Sequence, residues 1–442
     1  MMKAALIGAG SRGMFAYGAY ALKHPNEIQF IAVADSNEEK RTHFAHLHAI
    51  PTAQQYTHWD DLLAKPKLCD TLFICTQDTD HYEPVMKAMQ AGYDIVLEKP
   101  MSPDPLETLR LAEEAERLGC GLTVCHVLRY DLYFNTLKKL VDRKEIGDLV
   151  SIQWSENIGY WHFAHSFVRG NWRKTSSSSA MILAKCCHDL DLIQWLAGGQ
   201  CTSVSSFGEL SYFRERHAPL GSTDRCTDGC AVEPDCPYSA LKLYYNDSNS
   251  WPQDVVSLQN DLPTRWKALQ EGPYGRCVFR CDNDVVDHQA VNMQFDNGVT
   301  VSFNISAFSS EITRTFKIMG TLGEITGHRK SGELEIVLFN GQKERIIPAS
   351  VEGGHGGADT MLMREIVRRH DNPSTQSEPS RSSGMVSAES HLIAFAAEHS
   401  RLTGENVRME EFVQQLRRQV EGGSRDEEGG GQAIDGTNNN FK

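Results

Sequence analysis

The opening thirteen residues constrain this chain more than any other stretch. Ala4 to Ile7 is a short apolar run that breaks into Gly8-x-Gly10-x-x-Gly13, and a helix-compatible segment follows from Met14 to Lys23. Strand, tight glycine turn and helix in that order let the backbone come within contact distance of a pyrophosphate, whose charge then sits on free N–H groups at the helix N-terminus. A three-glycine match alone is a weak signal, because a structural turn can use one too. Here a second apolar strand, Ile28 to Ala34, ends in Asp35, where a carboxylate past the glycines would hold a ribose hydroxyl. No arginine follows Asp35 immediately, so a 2'-phosphate would be repelled, which favours NAD over NADP. On this reading Gly8, Gly10, Ser11, Arg12, Gly13 and Asp35 contact the cofactor.

Apolar strand-like runs alternate with helical segments as far as about Thr123: Lys3 to Ile7, Ile28 to Ala34, Thr71 to Cys75, Asp94 to Leu97 and Gly121 to Val124. Such alternation calls for a parallel sheet covered on both faces by helices, with ligands at the carboxyl ends of the strands. The residues after each strand therefore matter: Thr76 and Gln77, then Glu98-Lys99-Pro100, where proline ends the strand and holds the preceding backbone away from the helical region. Asp80 and His81 either cap the next helix or face the nicotinamide. Lys99 lies where nicotinamide and a substrate hydroxyl would meet, although a solvated lysine ending an edge strand is the plain alternative. At 442 residues the chain has room for two domains. A net charge of -14 without a basic run excludes nucleic acid as a partner. No apolar run approaches a membrane span and no export signal is read, so the twelve cysteines are expected as reduced thiols in a cytoplasmic protein.

The glycine loop, Glu98-Lys99-Pro100 and a later segment carrying His188 in HDLDLIQWLAG together resemble the glucose-fructose oxidoreductase / inositol dehydrogenase (Gfo/Idh/MocA) family, from the first strand to about Glu398. The resemblance implies an N-terminal Rossmann dinucleotide-binding domain and a C-terminal α+β domain with an open, mostly antiparallel sheet, placed at residues 1–125 and 126–420. It also implies hydride transfer between NAD and a sugar or polyol carbon, and a sheet face buried in a homodimer or homotetramer. Members usually carry an Asp four residues before the His, working with the Glu-Lys-Pro lysine in proton transfer; here that position is Ala184. We therefore read His188 as the base, Lys99 as the orienter of the hydroxyl, and Lys185 as the group that holds developing negative charge. Some relatives instead cleave glycosides through a transient oxidation, elimination, hydration and reduction on a retained NAD. A silent NAD-sensing protein is the third reading.

The residues support the second domain independently. Leu128 to Lys144 has helical spacing, and Val150 to Glu156 alternates as a strand. Asp296-Asn297-Gly298 and Asn340-Gly341 each sit between strand-like runs as hairpin turns, and at least six strands are expected. Met361 to Arg369 and Val386 to Leu402 read as amphipathic helices. Met181 to Leu196, if one helix, would place Lys185, His188 and Asp191 on one stripe; Asp191 could fix the His188 tautomer. The stretch from Asn157 to Arg173 is dense in aromatic, His and Arg side chains with too little periodicity for one regular element. Tyr160, His162, His165, Arg169, Trp172 and Asp191 are expected to bind substrate, and Arg169 and Arg173 leave room for an acidic substituent. In Gly353 to Asp359, His355 or Asp359 could reach a hydroxyl, or Asp359 could cap a helix. Cys226, Cys230 and Cys236 look like a partial metal knot lacking a fourth ligand, for which Cys201, Cys277 and Cys281 are the candidates. Their spacing is not the usual paired one, so packed reduced thiols are preferred and no metal is assigned. Residues 421–442 are polar and glycine-rich and are expected to be disordered.

Overall fold

Six of the first seven residues form a strand, β1 (Met2–Ile7), in which only Lys3 is exposed. A strand apolar on both faces has to be covered on both. With β2 (Ile28–Ala34), β3 (Gln55–Tyr56), β4 (Thr71–Ile74), β5 (Asp94–Leu97) and β6 (Leu122–Val124) it makes a parallel sheet of order β3-β2-β1-β4-β5-β6. The order reverses between β1 and β4, which opens a crevice at their carboxyl ends, beside the glycine turn. The computed structural model describes residues 1–248, 250–257, 259, 261–372 and 380–427. Among these no helix is long and apolar enough to cross a membrane.

The second sheet has nine strands: β7 (Leu149–Asn157), β8 (Cys201–Glu209), β9 (His288–Phe295), β10 (Thr300–Ser306), β11 (Thr313–Gly320), β12 (Gly323–His328), β13 (Glu333–Leu338), β14 (Lys343–Ile346) and β15 (Val407–Arg408). Their order is β14-β13-β12-β11-β7-β10-β9-β8-β15, antiparallel except for β7 against β10. Both expected hairpins form, with Gly298 at φ +86 and Gly341 at φ +91, values that glycine adopts without a Cβ clash. Alternation along β9 and β10 buries Val291, Met293, Phe295, Val301, Phe303 and Ile305 on one face and leaves the other open. A twenty-residue helix, Gly384–Thr403, packs at once on β8, on the first-domain helix Pro105–Leu118 and on the helix Cys187–Ala197, and so joins the two halves.

Three expected helices differ in the structure. Arg12–Gly18 is π-helical before an α-turn at Ala19–Lys23. The crossing helix begins only at Leu132, because the Asp131 side chain accepts from the Tyr133 N–H and caps it there. Met181 to Leu196 is two helices, Met181–Ala184 and Cys187–Ala197, broken at Lys185 and Cys186. Near the C-terminus a helix, Met409–Glu427, covers the start of the stretch expected to be disordered; residues 428–442 lie outside the described residues.

Helix Cys187–Ala197 is anchored to the sheet by charge. Asp189, fully buried, accepts from Trp154 Nε1 at 2.8 Å and from Arg314 Nε and Nη2 at 2.7 and 2.9 Å. Arg314 Nε also stands 3.1 Å from Glu156, whose second oxygen is 3.1 Å from Lys185 Nζ. Breaking a buried pair strands its carboxylates. Arg314→Leu should therefore lower the unfolding free energy by about 3–5 kcal/mol, read as a drop in urea midpoint.

Candidate active site

Two of the three glycines of the first turn have a steric reason within the chain. A Cβ on Gly8, at φ +92, would lie 2.6 Å from the Cys75 carbonyl group, so the turn packs directly on the end of β4. One on Gly13 would meet the Gly8 carbonyl oxygen at 2.5 Å, while one on Gly10 would meet nothing within 4 Å. Backbone is thus packed tightly under the turn and clear above it, which fits a dinucleotide pyrophosphate over Gly10 and the exposed Ser11, with the first helical N–H groups aimed at it. Asp35, half-buried at the end of β2, accepts from the N–H groups of Ala9 (2.7 Å) and Asn37 (2.8 Å). Arg41, six residues on, turns its Nη1 to the Asp35 carbonyl oxygen at 2.6 Å and not to the carboxylate.

Arg12 is not free for a phosphate. Its Nε pairs with Glu98 at 2.6 Å, and Nη1 and Nη2 bind Asp359 at 2.9 and 2.8 Å. Tyr17 also donates to Glu98, at 2.5 Å, so Glu98 faces the protein interior and is not a cofactor ligand through its carboxylate. Burial alone would raise Glu98, but the adjacent guanidinium outweighs it and holds the carboxyl below its usual range. Asp359 is held low in the same way, against burial, by His355 and Arg12. It does not cap its helix, whose N-cap is Gly357. His81 neither caps with its side chain nor faces the crevice: it is 1% exposed, with Nδ1 2.7 Å from the Pro100 carbonyl oxygen. Thr76 bonds the Asp80 carbonyl at 2.9 Å, and Gln77 is exposed beside it.

Lys99 and the His188 helix do meet. Lys99 Nζ donates to the Ala184 carbonyl oxygen at 2.9 Å, one turn before His188. His188 is buried, its Nδ1 without a partner, and its ring packs 5.7 Å from His126 and 6.1 Å from His355. Burial, and then the Lys99 charge, push its pKa well below the ordinary histidine value, so it is neutral at pH 7. His355, exposed at φ +52, reaches this centre from a glycine-rich loop and bonds Asp359 at 3.2 Å. The sequence reading missed His126, fully buried with neither ring nitrogen hydrogen-bonded and Nδ1 4.0 Å from Asp191, since an isolated His after a strand carries no pattern.

Much of the aromatic segment lies elsewhere. It is helical, α at Tyr160–Phe163 and π at Ala164–Arg169, and packs inward. Arg169 is 1% exposed and donates to the carbonyls of Arg276 and Tyr238, both at 2.7 Å, so it cannot bind an acidic substrate. His165 bonds Tyr244 at 2.9 Å and stacks on Tyr274; burial holds it near 3. Trp172 is half-buried against the core, Arg173 pairs with Asp282, and Asp191, one turn after His188 on the same helix, pairs with Arg129 at 2.7 Å. Tyr160 and Trp161 remain half-buried and line a cleft of about 510 Å³ with Trp251. His162 packs edge-on against that Trp251 ring at 4.9 Å; burial first, then the charge of Lys185, lowers its pKa.

A doubly wound sheet with a glycine turn at its switch point, followed by an open nine-stranded sheet, defines a two-domain dinucleotide-binding protein. The N-terminal model of the Gfo/Idh/MocA oxidoreductase family, an NAD-binding Rossmann fold, matches residues 2–126, and the C-terminal alpha/beta model matches 138–378. The chain belongs to this oxidoreductase family, and its first domain is the NAD-binding one. YteT of Bacillus subtilis is 24% identical over 322 residues, 68% of this chain and 74% of YteT. An inositol 2-dehydrogenase of Corynebacterium glutamicum is 29% identical over 158 residues, 35% of this chain and 42% of that one. Two solved structures share the fold. One is a levoglucosan dehydrogenase complexed with NADH and levoglucosan, at TM-score 0.68 and 17% identity over 92% of this chain and 99% of that one. The other is an oxidoreductase of Agrobacterium radiobacter complexed with NAD+, L-tartaric acid and magnesium, at 0.65 and 15% over 92% and 98%.

Two outcomes follow from this geometry. Gly13→Ala should weaken NADH binding about tenfold or more in a fluorescence titration, since its Cβ must displace main chain under the turn. Because Glu98 and Asp359 are held low in the fold, their contribution is full above the unfolded carboxylate range, roughly pH 4, and fades as pH falls through the folded values. Arg12→Met removes the cause. Its unfolding free energy should be lower at pH 7 and fall less as pH drops from about 4 to about 2 than that of the parent protein.

Proposed function

We propose that this protein moves hydride between NAD and a hydroxyl-bearing carbon of a sugar or sugar derivative. The observation that carries the reading is the approach of Lys99 to the main chain one turn from a buried, neutral His188, at the crevice beside the glycine turn. Bound NAD supplies the hydride acceptor. His188 takes the hydroxyl proton as the carbonyl forms, for which a neutral imidazole is required. Lys99 has one of its three N–H groups on Ala184 and two left to hold the substrate oxygen as negative charge develops. Lys185 has its charge balanced by Glu156, so its share in holding that charge is the smaller. His162, Tyr160 and His355 are the side chains we assign to the remaining hydroxyls.

Relatives named for inositol and levoglucosan support a polyhydroxylated substrate. Ala184 fits as well, since its carbonyl holds Lys99 in place of a carboxylate. We further assign residues 1–125 to cofactor binding and 126–420 to substrate binding and self-association. The open face of the second sheet carries an exposed Phe207 opposite Ala290, which supports a homodimer or homotetramer built through it.

Screening monosaccharides, uronates and aryl glycosides with NAD tests the reading. NADH should accumulate with a free sugar or its acid. Aglycone release without net NADH would instead assign the redox-assisted glycosidase. His188→Ala should lower kcat by about 10²–10⁴-fold while NADH affinity stays within about twofold. Unchanged turnover would remove His188 from the mechanism.

A further inference from the structure

Between β8 and β9 the chain makes an excursion over residues 210–287, rooted in the main core through Phe213, Val278 and Phe279, while among its described residues the outer part has only a small apolar cluster of its own: Cys226, Ala240, Tyr244 and Leu269. A core of that size rarely holds a segment together without a cross-link or a bound ion. Four thiols converge in it. An antiparallel bridge joins Arg225 to Arg276, with the Cys226 N–H donating to the Gly275 carbonyl at 2.9 Å and the Cys277 N–H to that of Asp224 at 2.8 Å. That ladder sets Cys226 beside Cys277. Cys230 and Cys236 enter from the loop that follows Cys226, and all four line one enclosed cavity of about 20 Å³. Such a space admits a single water-sized particle.

The main chain is turned toward the sulfurs. The Ala240 N–H donates to Cys226 Sγ at 3.4 Å. The N–H of Tyr238 faces the Cys236 sulfur, that of Phe279 faces Cys277, and those of Val232 and Glu233 face Cys230. Three of the four thus meet the amide two residues further on, although burial still raises the Cys236 and Cys277 thiols above their ordinary range. Positive charge is present too. Arg169, buried in the same wall, has its Nη1 without a partner once its other groups have bonded the carbonyls of Arg276 and Tyr238. Neutral thiols give a buried guanidinium no counter-charge, whereas four thiolates around a divalent ion leave a double negative charge for it to offset.

We propose that Cys226, Cys230, Cys236 and Cys277 form a closed tetrathiolate site for one zinc-class divalent ion. Through Arg169 it would brace the helical segment that presents Tyr160 and His162. No three such side chains stand at metal-ligand spacing among the described residues, so binding draws the sulfurs inward by χ1 rotation and releases their protons. The cavity is too small for an iron–sulfur cluster.

Full-length protein, purified reduced and stripped with a chelator, is titrated with Co²⁺ and then Zn²⁺. One Co²⁺ per chain should bind with sulfur-to-cobalt charge transfer and the intense visible bands of a tetrahedral thiolate complex, and one equivalent of Zn²⁺ should bleach both. Four thiols should be protected from a thiol reagent in the zinc form and exposed in the stripped form, and Cys230→Ser and Cys277→Ser should each lose charge-transfer intensity. If either variant fails to fold, the titration of the parent protein decides. A weak octahedral cobalt spectrum, unprotected thiols, iron with acid-labile sulfide, or a disulfide among the four would each overturn the proposal.

Discussion

Arg12 is gripped by two carboxylates that the chain supplies from far apart, Glu98 at the end of β5 and Asp359 at the start of a helix in the second half. The arginine belongs to the glycine turn, so this one cation ties together the pyrophosphate cradle, the Lys99 turn and the loop that carries His355. Charge-assisted pairing of a planar guanidinium on both sides is directional. Displacing any partner would move Lys99 relative to His188, and the proposed chemistry depends on their separation.

A second ionic cluster does the equivalent work from below. Asp189, Glu156, Arg314 and Lys185 hold the His188 helix to β7 and β11, and Trp154 closes the set. The break at Lys185 and Cys186 follows from it. Lys185 turns to Glu156, and the chain resumes as a helix that carries His188 and, one turn on, Asp191 paired with Arg129. A continuous helix would have kept Lys185 on the stripe that His188 and Asp191 share.

What could be read from sequence were the features set by local constraint. Glycine spacing, the strand-ending proline and the two Asn-Gly hairpins each depend on a few neighbouring residues, and all stand where expected. The family resemblance pointed to His188, which composition could not. Features decided by distant partners were not legible. Arg169 reads as an anion binder until Tyr238 and Arg276 present their carbonyls to it; His81 reads as a cap until Pro100 does the same. Arg12 and Glu98 look like cofactor ligands, and only the folded chain shows that they bind each other.

The placement of β7 bears on how the second sheet can assemble. β10 and β11 follow one another in sequence, yet they are not neighbours, because β7 lies between them, parallel to one and antiparallel to the other. The downstream strands alone make two partial sheets, each ending in an edge with unsatisfied main-chain groups. They become one surface only when a strand made much earlier slots into the gap, a pairing of high sequence separation and therefore slow. Until that insertion a nascent chain carries two adhesive borders, and whatever shields them is part of how this protein reaches its native form.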